Sequence, residues 1–95
     1  MARRTETWNH DLSKKLQSKS YRREFFLILI EEEKLNIREA IYIFARSMGN
    51  QEFAKLIGMS PSNASRSANP QNDVKWTTIE QILGKIGVNI SAKAA

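Results

Sequence analysis

The sequence predicts an all-α domain of five or six short helices, on three observations. Apolar residues recur at helical spacing through most of the 95-residue chain, most clearly at Ile37, Ile41, Phe44, Ala45 and Met48. Helix stop and start signals follow at short intervals: Gly49, Gly58, Ser60-Pro61, Pro70 and Gly87. The period-two alternation of a strand is confined to Val88-Asn89-Ile90, which reads as one short closing strand.

Taken in order, residues 1–7 read as a loose polar arm. Trp8, Leu12 and Leu16 then share one face of a short helix with Asp11 near its start. Residues 20–33 hold the longest apolar run, Phe25-Phe26-Leu27-Ile28-Leu29-Ile30. A buried strand fits that run alone, but its flanks are strong helix formers, so a helix apolar nearly all round is expected. Arg22 and Arg23 at its start and Glu31, Glu32 and Glu33 at its end oppose the helix dipole, which implies another use for those charges. Residues 36–48 form an amphipathic helix, with Asn36 as N-cap and Gly49 as a left-handed C′ residue. Tyr42 and Ile43 lie off its apolar stripe, as spare core face or as a contact for a partner.

Shorter elements follow. Asn50 is expected to cap a helix whose inward residues are Phe53, Ala54, Leu56 and Ile57, ended by Gly58. Ser60 as N-cap and Pro61 at N1 start the next, which must finish before Pro70. A polar loop, 71–75, precedes Thr77-Thr78-Ile79-Glu80, expected as a capping box. Ile79, Ile82, Leu83 and Ile86 form the core stripe of that last helix, and Gly87 ends it. Domain organisation follows: a basic arm and short helix over 1–19, then a single helical domain over 20–95.

Composition bounds the function. With 41% hydrophobic and 26% charged residues, the chain is ordinary for a globular domain. The apolar run at 25–30 falls well short of the roughly 20 residues a membrane span needs. Met1-Ala2-Arg3-Arg4 is basic, but no apolar stretch follows it closely, so a soluble cytoplasmic protein without signal peptide or membrane contact is expected. The lack of cysteine excludes a disulfide scaffold, a thiolate zinc site and a cysteine nucleophile. A single histidine, His10, leaves no relay or metal set, and no glycine-rich phosphate cradle is present. An enzyme is not expected, nor a metal or other cofactor.

The charge points elsewhere. The net charge is +5, from 15 basic and 10 acidic residues. Residues 1–24 carry seven basic against three acidic residues, leaving eight against seven for the rest. The excess suggests a polyanionic partner.

Residues 50–66, Asn-Gln-Glu-Phe-Ala-Lys-Leu-Ile-Gly-Met-Ser-Pro-Ser-Asn-Ala-Ser-Arg, have the spacing of a helix-turn-helix, with the unit extending over about 50–68. Ala54 is expected at the helix crossing, where a larger side chain would hold the helices apart. Gly58 supplies positive φ at the turn, Met59 fills the gap beneath it, and Ala64 points inward. The outer face of the second helix then presents Ser62, Asn63, Ser65 and Arg66, with Ser60 at its start. Every one is a hydrogen-bonding group and none is acidic, which suits base-pair edges in a major groove.

With these residues the chain resembles the helix-turn-helix antitoxins, or addiction-module antidote proteins, of the phage-repressor-like DNA-binding group. The resemblance spans about residues 8–91. It runs through Trp8…Leu12…Leu16, Tyr21-x-x-x-Phe25-Phe26, the helix at 37–48, the unit at 50–66, Asn69-Pro70 and Thr78-Ile79-x-x-Ile82-Leu83-x-x-Ile86-Gly87-Val88. It departs from the family pattern in the small Ala64, Ser65, Ser67 and Ala68, and in the glycine-free loop at 71–75. The resemblance implies a phage-repressor-like fold, a dimer that represses its own operon, and capture of a ribonuclease-type toxin.

Individual roles follow, each beside its plainer alternative. Arg66 is the candidate for a bidentate contact to guanine, or else a phosphate contact or surface ion pair; Asn63 suits adenine. Ser62 and Ser65 reach bases or phosphates, or are simply surface serines. Ser60 is first an N-cap. Gln51 is placed to bond a phosphate. Lys75 and Trp76 are candidates to clamp the DNA backbone, with Trp76 otherwise in the core. For the toxin, the candidates are Phe25 and Phe26 with Glu31, Glu32 and Glu33, whose acidic run complements a basic nuclease, or is a solvated helix end. Arg3 and Arg4 suit either a minor groove or a protein partner. A stand-alone repressor and a protein-interaction module built on residues 21–30 are the competing readings.

Overall fold

The computed structural model describes residues 10–88, and among them forms six helices and no strand. They are α1 (His10–Lys15), α2 (Lys19–Glu31), α3 (Ile37–Met48), α4 (Asn50–Ile57), α5 (Pro61–Ala68) and α6 (Trp76–Ile86). Trp8, Arg3, Arg4 and the closing strand expected from Val88 through Asn89 and Ile90 lie outside or run beyond the described residues. No helix among those described is long and apolar enough to cross a membrane.

Helix α3 is the hub. It packs against α1, α2, α4 and α5, and α6 closes the far side against α4 and α2. Its regular stripe explains this: Ala40, Ile41, Phe44, Ala45 and Met48 are all buried. Phe44 centres an aromatic cluster whose ring centroids lie 6.4 Å from Phe26 on α2 and 6.2 Å from Phe53 on α4, both edge to face. Phe25 tilts against the same ring at 6.1 Å.

Residues 11–19, grouped with the arm in the sequence, belong to this body. Leu16 is fully buried, and the buried Ser13 hydroxyl donates to the Met48 carbonyl at 2.6 Å, satisfying one carbonyl at the end of α3. One of the reversed charges of α2, Arg22, finds its use at the same corner. Arg22 Nη1 donates to the carbonyls of Leu16 (3.2 Å) and Gln17 (2.9 Å), closing the end of α1. Burial pushes the Arg22 guanidinium below its ordinary pKa, the cost of placing the charge there.

N-capping follows the sequence at α3 and α5, and capping departs from it at three positions. Asn36 and Glu39 form a reciprocal capping box at α3, and Ser18 and Ser60 cap α2 and α5 through their hydroxyls. Gly49 has positive φ, but at φ 97°, ψ 134° it is not left-handed helix: α4 starts at the next residue, so the chain must turn out at once. Gly49, not Asn50, is therefore the N-cap of α4. The Asn50 amide instead donates to the Pro61 carbonyl at 2.9 Å, tying the start of α4 to that of α5. At α6 the expected Thr77–Glu80 box is absent. Lys75 is the N-cap, without a side-chain bond, and Trp76 is the first helical residue. Helix α6 therefore starts two residues earlier than a Thr77 cap predicts.

Candidate nucleic-acid interface

Helices α4 and α5 fold back on each other around Gly58, which adopts left-handed helix at φ 72°, ψ 36°. Its amide and that of Met59 both donate to the Ala54 carbonyl, ending α4 sharply. Ala54 and Ala64 are buried, so two small residues let the helices approach closely. Met59 is half-buried beneath the turn and accepts a bond from the Ser67 hydroxyl at 3.7 Å.

Since Ala64 and Ala68 take the inner side of α5, its other side faces out. Ser60, Ser62, Asn63, Ser65 and Arg66 are all exposed, as are Gln51 on α4 and Lys75 before α6. Ser60 spends its hydroxyl on the Asn63 amide at 3.3 Å, which leaves it a cap. Asn63, Arg66 and Lys75 converge on one cleft of about 580 Å³ between α5 and the α5–α6 loop. Ser65 lines a different cleft, on the other edge of α5. Among the described residues the only ion pair is Lys55–Glu52 at 3.8 Å, so Arg46, Arg66 and Lys75 have no carboxylate partner.

The α5–α6 loop is anchored from beneath. Arg38 on α3 sends Nη2 to the carbonyls of Asn69 (2.7 Å) and Asn72 (3.0 Å). Within the loop, Asn69 Oδ1 accepts from the Gln71 amide at 2.9 Å, and Asn72 Nδ2 donates to the Arg66 carbonyl at 3.0 Å. These bonds satisfy a carbonyl in the last turn of α5, that of Arg66, and fix the first half of the loop that leads to Lys75. Sequence reasoning missed Arg38 and Asn72, because no local pattern announces a bond across some thirty residues. It also missed Asp73, which the loop brings into the cleft of Arg66 and Lys75. The face of α5 itself is acid-free; the cleft beside it is not.

Two other assignments change. Trp76, whose plainer alternative was the core, is 45% exposed as the first residue of α6, which begins two residues before the start a Thr77 cap would give. Phe26, a candidate contact for a partner, is fully buried between α2 and α3 and is unavailable to one in this fold; Phe25 is half-buried against Phe44. Glu31, Glu32 and Glu33 are exposed at the end of α2, and the exposed apolar residues on that helix are Tyr21 and Ile28.

Compared with models of known families, with curated proteins and with solved structures, the chain matches none.

Proposed function

We propose that the chain is a sequence-specific DNA-binding protein that inserts α5 into the major groove of a duplex. The observation that carries this reading is the outer face of α5: Ser62, Asn63, Ser65 and Arg66 stand exposed on a helix fixed by a left-handed Gly58 and a Ser60-Pro61 start. In this reading Arg66 and Asn63 meet base edges, and Gln51 and Lys75 meet phosphates. The net charge of +5 supports it by favouring a polyanion.

The fuller form of the proposal is an antitoxin that represses its own operon as a homodimer and neutralises a ribonuclease-type toxin. Its support is the family resemblance together with the exposed acidic run Glu31-Glu32-Glu33, which complements a basic nuclease. A stand-alone repressor shares the DNA-binding half. Ile28, 49% exposed, and Tyr21, 39% exposed, favour a protein-binding role for α2 under either form.

The deciding experiment measures binding to the promoter upstream of the gene across a salt series. Affinity falling steeply with salt supports DNA binding; an absent or salt-independent interaction leaves a protein-interaction module. Co-purification with the product of the neighbouring reading frame separates the antitoxin from the lone repressor.

A further inference from the structure

On the edge of α5 opposite the Arg66–Lys75 cleft lies a second cleft, of about 410 Å³, where α3, α4 and α5 meet. Tyr42 and Arg46 of α3, Asn50 of α4 and Ser65 of α5 line it, and no acidic residue does. Arg46 is exposed and held in place. Its Nη1 donates to the Tyr42 hydroxyl at 3.2 Å, and its Cζ lies 5.5 Å from the centroid of that ring, one turn earlier on α3. A guanidinium steadied in this way loses less side-chain freedom on meeting a ligand, and its remaining N–H groups suit a tetrahedral oxyanion.

The two clefts are disposed as a duplex requires. Asn63 and Ser65 line opposite ones, and residues two apart on a helix point about 200° apart. A helix with its side chains is about 10–12 Å across and fills a major groove about 12 Å wide, so a sugar–phosphate backbone runs along each flank. One flank has Lys75. The other has the uncharged Ser65, and there the fold adds a cation, Arg46.

We propose that the α3–α4–α5 cleft is a second DNA-backbone site, in which Arg46, steadied by Tyr42, binds a phosphate of the strand opposite the one met by Lys75. The assignment rests on the DNA-binding reading, and it makes Arg46 a contributor to affinity at every sequence rather than a reader of bases.

The test compares wild type, Arg46→Ala, Arg46→Lys and the charge control Lys19→Ala on two probes: the upstream promoter fragment and a random-sequence duplex. Each phosphate neutralised adds about 0.9 to the slope of log affinity against log salt. Arg46→Ala should lower that slope by about 0.9 and weaken binding roughly eightfold at 0.1 M salt, equally on both probes. Arg46→Lys should recover most of the slope, and Lys19→Ala should keep it. Thermal melts of the variants, at an exposed position, should stay near wild type. An unchanged slope for Arg46→Ala overturns the assignment, as does a loss confined to the promoter, which would make Arg46 a base reader. A wild-type chain that binds neither probe overturns the DNA-binding reading itself and this site with it.

Discussion

Arg38 on α3 and Asn69 after α5 are joined by a 2.7 Å bond from guanidinium to backbone carbonyl, across 31 residues of sequence. The same nitrogen reaches the Asn72 carbonyl at 3.0 Å, so one side chain closes the end of α5 and fixes the first half of the loop that follows. The group is half-buried, where such charge-assisted bonds are worth more than on the surface. The candidate recognition helix is thus held at its start by Ser60 and Asn50 and at its end by Arg38 and Asn72.

Replacing Arg38 with alanine should cost about 2–3 kcal/mol, since two carbonyls lose a charged donor. In a domain of this size that lowers the melting temperature by roughly 10 °C or more. Arg38→Lys should recover only part of it, because a single ammonium cannot reproduce the planar fork. Amide exchange should quicken first over residues 69–75, and exchange unchanged there would contradict the anchoring role.

Arg66→Ala should weaken promoter binding by about 1–3 kcal/mol and relax preference at one base pair, if its guanidinium meets a guanine. Competition with single-site promoter variants reads this out. An equal loss on every sequence would reassign Arg66 to a phosphate.

Gly58→Ala should cost about 1 kcal/mol, measured by denaturant melts. A Cβ placed there meets nothing within 4 Å, so the cost comes from its positive φ alone. Asparagine, which tolerates left-handed helix, should cost less. Alanine and asparagine equally harmless would show that the turn between α4 and α5 does not need this conformation.

Asp73→Asn removes the carboxylate from the cleft shared by Arg66 and Lys75. Binding to any duplex should tighten by about two- to threefold at low salt, with the gain shrinking as salt is added. Weaker binding would mean that Asp73 orients one of the two cations instead of opposing the phosphates.

How legible the molecule was in its sequence depends on the range of the interaction concerned. The stripe Ile37, Ile41, Phe44, Ala45, Met48, the Asn36 cap, the Gly58 turn and the Ser60-Pro61 start all act within a turn or two of helix. They fixed the order of the helices and which face of α5 turns outward. The ambiguous run at 25–30 was also settled correctly as helix by its flanking residues. Arg46, one turn after Tyr42, drew no sequence expectation, and the cleft the two line needed α5 beside them.

What the chain alone determined is therefore its helices and the exposed groups of α5, because backbone propensity, capping and apolar period are local. What only the tertiary structure decided lies where distant segments meet. Arg38 stapling the loop, Arg22 closing α1, Phe26 withdrawn from the surface, Trp76 left upon it, and Asp73 beside Arg66 are of this kind. Each depends on a charge or ring finding partners that packing brings near, and spacing along a chain carries no record of such partners.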